Sequence, residues 1–287
     1  MKNLSIIILT SLFTYAVKAH DLNNRLTTSS ISQSFLTLHS TPLPKTKHKL
    51  VVIAHRGSHL NVPENTLAAY ESAIKEGADY VEIDLRTTKD GNLVIMHDES
   101  ITRMTGMNGL IKDLNYSDIS NLKLKPAVKG DSTTYRIPEF AYVLNVCKGR
   151  INIYLDFKEA DVEKTYSLLK EYRMQNNVVV YLNKEEQYAQ WKNIAPHVPL
   201  MSSLPENANI SQLNNFMDEK HLDVVDNAYA IDLINLVHKR KIAVWLDVQS
   251  EDEGPAKWEQ ALKLGADGLQ TDHPEKLIKY LEGQGKR

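Results

Sequence analysis

Tyr80-Val81-Glu82-Ile83-Asp84-Leu85, then Arg86-Thr87-Thr88-Lys89-Asp90-Gly91-Asn92, then Leu93-Val94-Ile95-Met96: the way these three consecutive stretches are joined decides the fold. The outer two are strand-like, and a seven-residue polar link containing Asp-Gly separates them. A parallel crossover needs about a dozen residues or more, so the pair is predicted to form an antiparallel hairpin. Seven other short apolar runs, at 51–54, 151–157, 178–182, 200–204, 222–225, 242–246 and 268–271, are mostly separated by amphipathic stretches. Setting aside the hairpin's return strand leaves eight strands of the βα kind over about 240 residues, the count and size of an α/β (β/α)8 TIM barrel. An open doubly wound sheet would want a Gly-rich phosphate loop opening its first helix, and none is found. One helix is expected over 66–76, with Asn65 as N-cap and Gly77 as left-handed stop; another runs over 255–264, from Pro255 to just before Gly265.

The ends of the chain and its composition narrow the function classes. Met1-Lys2 leads into an uncharged apolar run over 4–17 and then Val17-Lys18-Ala19, the pattern of a signal peptide at 1–19. Fourteen residues fall short of the roughly 20 that span a bilayer, so export to a periplasm or the extracellular space is expected, without a stable membrane anchor. Residues 20–48, rich in Ser, Thr, Asn and Pro, are expected to be a flexible linker, and 49–287 the barrel domain. A single Cys excludes a disulfide scaffold and a thiolate zinc cluster. With 34 Lys and Arg against 36 Asp and Glu, bulk attraction to nucleic acid is not expected.

In a barrel of this kind chemistry sits at the carboxyl ends of the strands. Glu82 and Asp84 lie two apart, hence on one face of their strand. Either they face inward or Val81, Ile83 and Leu85 do. If the acids face inward, two carboxylates about 6–7 Å apart need a proton or a cation between them. Asp156 and Lys158 share a face with Asn152 and Tyr154 and would add a third carboxylate and an ammonium. Three oxygen donors without Cys favour Ca²⁺ or Mg²⁺ over Zn²⁺. Centring the hairpin turn on Lys89-Asp90 makes antiparallel partners sum to about 179, which sets His97 opposite Glu82. His55-Arg56-Gly57 ends the first strand with an acid/base group, a fixed cation and a residue that lets backbone approach closely. Taken singly, each of these residues has a structural explanation, an ion pair or a solvated face; their convergence on three strand ends and one hairpin arm points to a site. Cys147, Trp191 and Trp258 are expected to be packing residues, and His20, His39, His48, His197, His221 and His238 carry no motif.

The ordered set Ile53-Ala54-His55-Arg56-Gly57, Pro63-Glu64-Asn65-Thr66, Gly77-Ala78-Asp79-Tyr80-Val81-Glu82-Ile83-Asp84, Thr88-Lys89-Asp90-Gly91, His97-Asp98, Gly265-Ala266-Asp267-Gly268 and Thr271-Asp272-His273-Pro274 resembles the glycerophosphodiester phosphodiesterase family. The resemblance extends over about residues 51 to 274. It implies a metal-dependent hydrolase that uses Ca²⁺ or Mg²⁺ to cleave a small glycerophosphodiester to glycerol 3-phosphate and an alcohol. By motif it implies Glu82, Asp84 and Asp156 as metal ligands, His55 and His97 as the acid/base pair, and Arg56, Lys158 and Trp245 as substrate contacts. Asp156 stands where the family usually has Glu, and Trp245-Leu246-Asp247-Val248 stands where it has Trp-Thr-Val-Asn. Two alternatives share the barrel logic: a membrane-acting phospholipase of the phosphoinositide or sphingomyelinase D kind, and a noncatalytic phosphate-ligand receptor.

Overall fold

Eight parallel strands close on themselves in the computed structural model, which describes residues 41–287. The strands are β1 (Val51–Ala54), β2 (Tyr80–Thr87), β3 (Leu93–Ile95), β4 (Asn152–Glu159), β5 (Val178–Leu182), β6 (Leu200–Ser202), β7 (Val224–Val225), β8 (Ala243–Asp247) and β9 (Gly268–Thr271). Their order is β1-β9-β8-β7-β6-β5-β4-β2, and the β1–β2 pairing closes the ring. Helices cross over between strands, and the chain is the (β/α)8 barrel expected from the strand count. The segment expected to be a signal peptide, 1–19, and most of the expected linker lie outside the described residues. Among the described residues no helix is long and apolar enough to cross a membrane.

The hairpin is present, and it has a structural task. β1 pairs with β2 only at Ile53–Tyr80 and Ala54–Val81, so the upper half of β2 would expose a bare edge. β3 covers that edge, antiparallel, through Leu85–Ile95, Arg86–Val94 and Thr87–Leu93. These pairs sum to 180, not 179. The turn is a five-residue loop, Thr88 to Asn92, closed by Thr88 N–H to Asn92 O at 2.9 Å, with Gly91 in the left-handed region at φ 80°. Its centre is therefore Asp90, and the register that set His97 opposite Glu82 is off by one.

Period two sorts the side chains of every strand. On β2, Val81, Ile83 and Leu85 face the helices, while Tyr80 joins the barrel interior with Glu82 and Asp84 above it; the acids therefore face inward. The interior has an apolar floor of Val51, Ile53, Tyr80, Tyr154, Val179, Met201, Val224 and Trp245. Trp245, expected at the substrate, belongs to this floor. Its ring is 2% exposed, 4.8 Å from Tyr80 and 6.3 Å from Tyr154 between ring centroids. Along β8 the inward residue nearer the carboxyl end is Asp247, one full pleat above the indole. Gly268 on β9 makes room for that indole, since a Cβ there would come within 2.7 Å of Trp245.

Residues 41–48, assigned from sequence to the linker, pack on the barrel. Thr41 N–H donates to Asp223 (2.8 Å), Tyr80 O–H to Pro44 O (3.3 Å) and Asn152 Nδ2 to Lys45 O (3.0 Å). The segment between β3 and β4 closes over a small apolar cluster of its own, including Met96, Ile101, Met104, Ile111 and Ile137. Cys147, Trp191 and Trp258 are buried packing residues, and burial pushes the Cys147 thiol up to about 12.

Candidate active site

The first βα turn brings the first group of functional residues together. Arg56 takes φ 53° and Gly57 φ 82°, which folds the chain back at the end of β1. Gly57 is needed there, because a Cβ would sit 2.7 Å from the backbone of Ala69 in the following helix. That helix spans Leu67–Glu76, and its N-cap is Thr66, whose hydroxyl accepts from Ala69 N–H. Asn65, the expected cap, has a different place: at φ 56° its buried side chain turns inward and donates to Asp84 Oδ2 at 2.7 Å.

Glu82, Asp84 and Asp156 present carboxylate oxygens that all lie within 4.8 Å of one another. One oxygen of each is held by the scaffold: Glu82 Oε2 by Arg56 N–H (2.8 Å), Asp84 Oδ2 by Asn65 (2.7 Å) and Asp156 Oδ1 by Asn183 Nδ2 (2.6 Å). Asp84 Oδ1 is buried without a hydrogen bond, 3.2 Å from Lys158 Nζ. The Lys158 ammonium also sits on Asp156 Oδ2, and Arg56 Nε lies 3.6 Å from Asp84 Oδ2. Burial, then the repulsion of Asp84 and Asp156, raises the Glu82 carboxyl well above its ordinary range. Asp156 is raised by burial, against the pull of Lys158, with Asp84 adding to the rise. For Lys158, burial acts downward but Asp156 and Asp84 outweigh it and hold the ammonium. The donors are hard, buried and convergent, with oriented outer oxygens; that chemistry suits Ca²⁺ or Mg²⁺.

Each histidine is tied to a carboxylate through Nδ1. His55 Nδ1 lies 2.7 Å from Asp272 Oδ1, and His97 Nδ1 lies 2.8 Å from Asp98 Oδ1. Asp98 is held well below the usual carboxylate range by the Arg103 guanidinium, with His97 adding to it against partial burial. Burial acts upward on Asp272, yet His55, His59 and Arg56 bring it below its ordinary value. Both acids are therefore ionised acceptors, so each Nδ1 carries the proton that it directs to its carboxylate. Both rings are one residue from a bond to the acids of β2: Arg56 N–H donates to Glu82, and Met96 N–H donates to Asp84 O at 3.0 Å.

His97 owes its place to the bend after β3, not to strand register. The buried Arg86 guanidinium donates from Nε to Met96 O (3.1 Å) and from both Nε and a terminal nitrogen to His97 O (3.0 and 2.6 Å). Arg103 bridges Asp98 to Glu64, and Glu64 accepts from Arg56 at 2.9 Å, so a continuous ionic chain joins the two histidine ends. Sequence reasoning did not find Arg86, Arg103, Asn183 or His59. His59 Nδ1 bonds His55 O at 2.9 Å and its Nε2 lies 3.6 Å from Asp272; its position four residues past His55 was the available signal.

The far side of the same mouth is lined from β5 to β9. Ser203 Oγ donates to Asp226 Oδ1 (2.8 Å) and is bonded by the Tyr181 hydroxyl (2.8 Å); Gln270 Nε2 donates to Asp247 Oδ1 (2.8 Å). Burial, then the neighbouring Asp226, pushes the Asp247 carboxyl up to about 7.

Comparison with known proteins gives a consistent picture. The sequence profile of the glycerophosphoryl diester phosphodiesterase family matches residues 55–276. A glycerophosphodiester phosphodiesterase of Caldanaerobacter subterraneus is 30% identical over 259 residues, covering 83% of this chain and 100% of that one. Among solved structures, a glycerophosphodiester phosphodiesterase of Agrobacterium tumefaciens superposes with a TM-score of 0.71 at 24% identity, over 80% of this chain and 99% of that one. An Oleispira antarctica phosphodiesterase, solved in complex with its product sn-glycerol-3-phosphate, superposes with a TM-score of 0.69 at 22% identity, over 81% and 96%.

Proposed function

Since the chain belongs to the glycerophosphoryl diester phosphodiesterase family, we propose that it hydrolyses small glycerophosphodiesters to glycerol 3-phosphate and an alcohol, with a divalent cation at Glu82, Asp84 and Asp156. The observation that carries this is the meeting of three buried carboxylates with Arg56 and Lys158 at the ends of β1, β2 and β4. The cation, when bound, would supply Lewis-acid stabilisation of the phosphate's charge. Arg56 and Lys158 are the chain's own cations for the nonbridging oxygens.

His97, its Nδ1 proton directed to Asp98, is suited to remove the proton from the glycerol hydroxyl adjacent to the ester. That oxygen attacks phosphorus as the bond to the alcohol breaks, and His55 returns a proton to the leaving oxygen. Water then opens the cyclic phosphate with the two roles reversed. The route needs the internal hydroxyl, and this makes it testable. Glycerophosphocholine should be turned over in Ca²⁺ or Mg²⁺ and spared in excess chelator, and an analogue with hydrogen in place of the neighbouring hydroxyl should react much more slowly. Equal rates on the two compounds would exclude the cyclic route, and full activity in chelator would exclude the metal.

A further inference from the structure

We infer that His59 is a positioning residue for His55: its ring braces the turn that carries His55 and Arg56, and its far nitrogen stands against the carboxylate that orients the His55 imidazole. The inference rests on the phosphodiesterase reading above and concerns how the acid of that reaction is held in place.

The turn after β1 runs against backbone preference, with the non-glycine Arg56 at φ 53° and Gly57 at φ 82°. A backbone of this shape persists where its polar groups find partners. Arg56 O accepts from Asn65 N–H at 2.9 Å, and the carbonyls on either side of it converge on one ring nitrogen: His55 O lies 2.9 Å and Gly57 O 3.1 Å from His59 Nδ1. Carbonyls only accept, so that nitrogen carries a hydrogen whatever the charge on the ring.

The opposite nitrogen of the same ring meets the other partner of His55. His59 Nε2 lies 3.6 Å from Asp272 Oδ1, the oxygen that holds His55 Nδ1 at 2.7 Å. The two imidazoles stand nearly perpendicular, at 74°, with centroids 6.2 Å apart. Behind Asp272, Glu253 Oε2 accepts its backbone N–H at 3.0 Å, and Glu253 Oε1 accepts from the Thr271 hydroxyl. Asp272 is thus fixed through its backbone by Glu253, while its carboxylate faces His55, His59 and the charge of Arg56. A carboxylate kept in place keeps the His55 proton on Nδ1. One imidazole supplies both contacts; an asparagine at 59 would offer a donor near the Nδ1 position and nothing at Nε2.

The test measures kcat and KM for glycerophosphocholine in saturating Mg²⁺ on the whole chain, His59→Asn and His59→Ala, together with nitrogen NMR shifts of the His55 imidazole, which report its tautomer. His59→Ala removes both contacts and should lower kcat about 10- to 100-fold, with KM within about twofold. His59→Asn keeps the donor to the turn and should recover part of that loss. In both variants the Nδ1–H form of His55, dominant in the unaltered protein, should give way to a mixture of tautomers. An unchanged kcat in His59→Ala, a loss confined to KM, His59→Asn no better than His59→Ala, or a His55 tautomer that neither variant disturbs overturns the inference, while turnover by the unaltered protein leaves the phosphodiesterase reading standing. No turnover by the unaltered protein removes that reading and the inference with it.

Discussion

Two groups of acids share one barrel mouth, and they are compensated differently. Glu82, Asp84 and Asp156 have Lys158 and Arg56 against them, and backbone or amide donors orient their outer oxygens. Asp226 is met by the Ser203 and Tyr181 hydroxyls and Asp247 by the Gln270 and Gln249 amides, and among the described residues neither has an ion pair. A buried charge met only by neutral groups is unfavourable, so the second group stays protonated to higher pH. The difference separates a half of the mouth that carries its own cations from a half whose acids are met by neutral groups.

The largest expected effect lies in the first half. His55→Ala or His97→Ala should lower kcat by about 10²- to 10⁴-fold on glycerophosphocholine, read in steady-state assays with saturating Mg²⁺. Near-normal turnover in both variants would remove the acid/base assignment and leave only phosphate binding. Asp272→Asn should act through His55, by releasing its tautomer, and should shift the pH–rate profile as well as the rate.

A smaller effect is expected from the groups that orient the carboxylates. Asn65→Ala and Asn183→Ala each remove a donor from a proposed metal ligand, and metal affinity should fall about 10- to 100-fold by calorimetric titration. Unchanged affinity in both variants would show that these donors do not orient the ligands.

The smallest effect separates the halves by pH. Asp247 is pushed up to about 7 and Asp223, at the barrel floor, to about 6, in both cases with burial the main cause. Their unfolded counterparts ionise near 4, so from pH 5 to 8 the folded protein holds more protons than the unfolded chain, and stability falls as pH rises. In chelator, Tm should drop by several degrees over that interval. Asp247→Asn should flatten the slope, and the rise in Tm on adding Ca²⁺ or Mg²⁺ should be larger at pH 8 than at pH 5. A slope unchanged by Asp247→Asn would show that this carboxylate is satisfied in the free protein.

Much of this was legible in the chain because strands have a period of two. Glu82 and Asp84 had to share a face, Asp156 and Lys158 likewise, and eight βα strands with one short link had to close a barrel with a hairpin beside it. Local chemistry also placed Gly77 and Gly265 as left-handed helix stops. Three things were left to the tertiary structure. The hairpin turn centres on Asp90 because Gly91 and Thr88 close a five-residue loop, a difference of one residue that composition does not resolve. Trp245 fills the floor, since depth along a strand depends on where the neighbouring strands begin. Arg86, Asn183, Asp226 and Gln270 meet their partners across chain separations that no local motif spans. Sequence by itself determined which residues share a face, through backbone geometry repeated every two residues; only the closed barrel decided which face turns inward, how deep each residue sits and which charges meet there, because those depend on the stagger of eight strands at once.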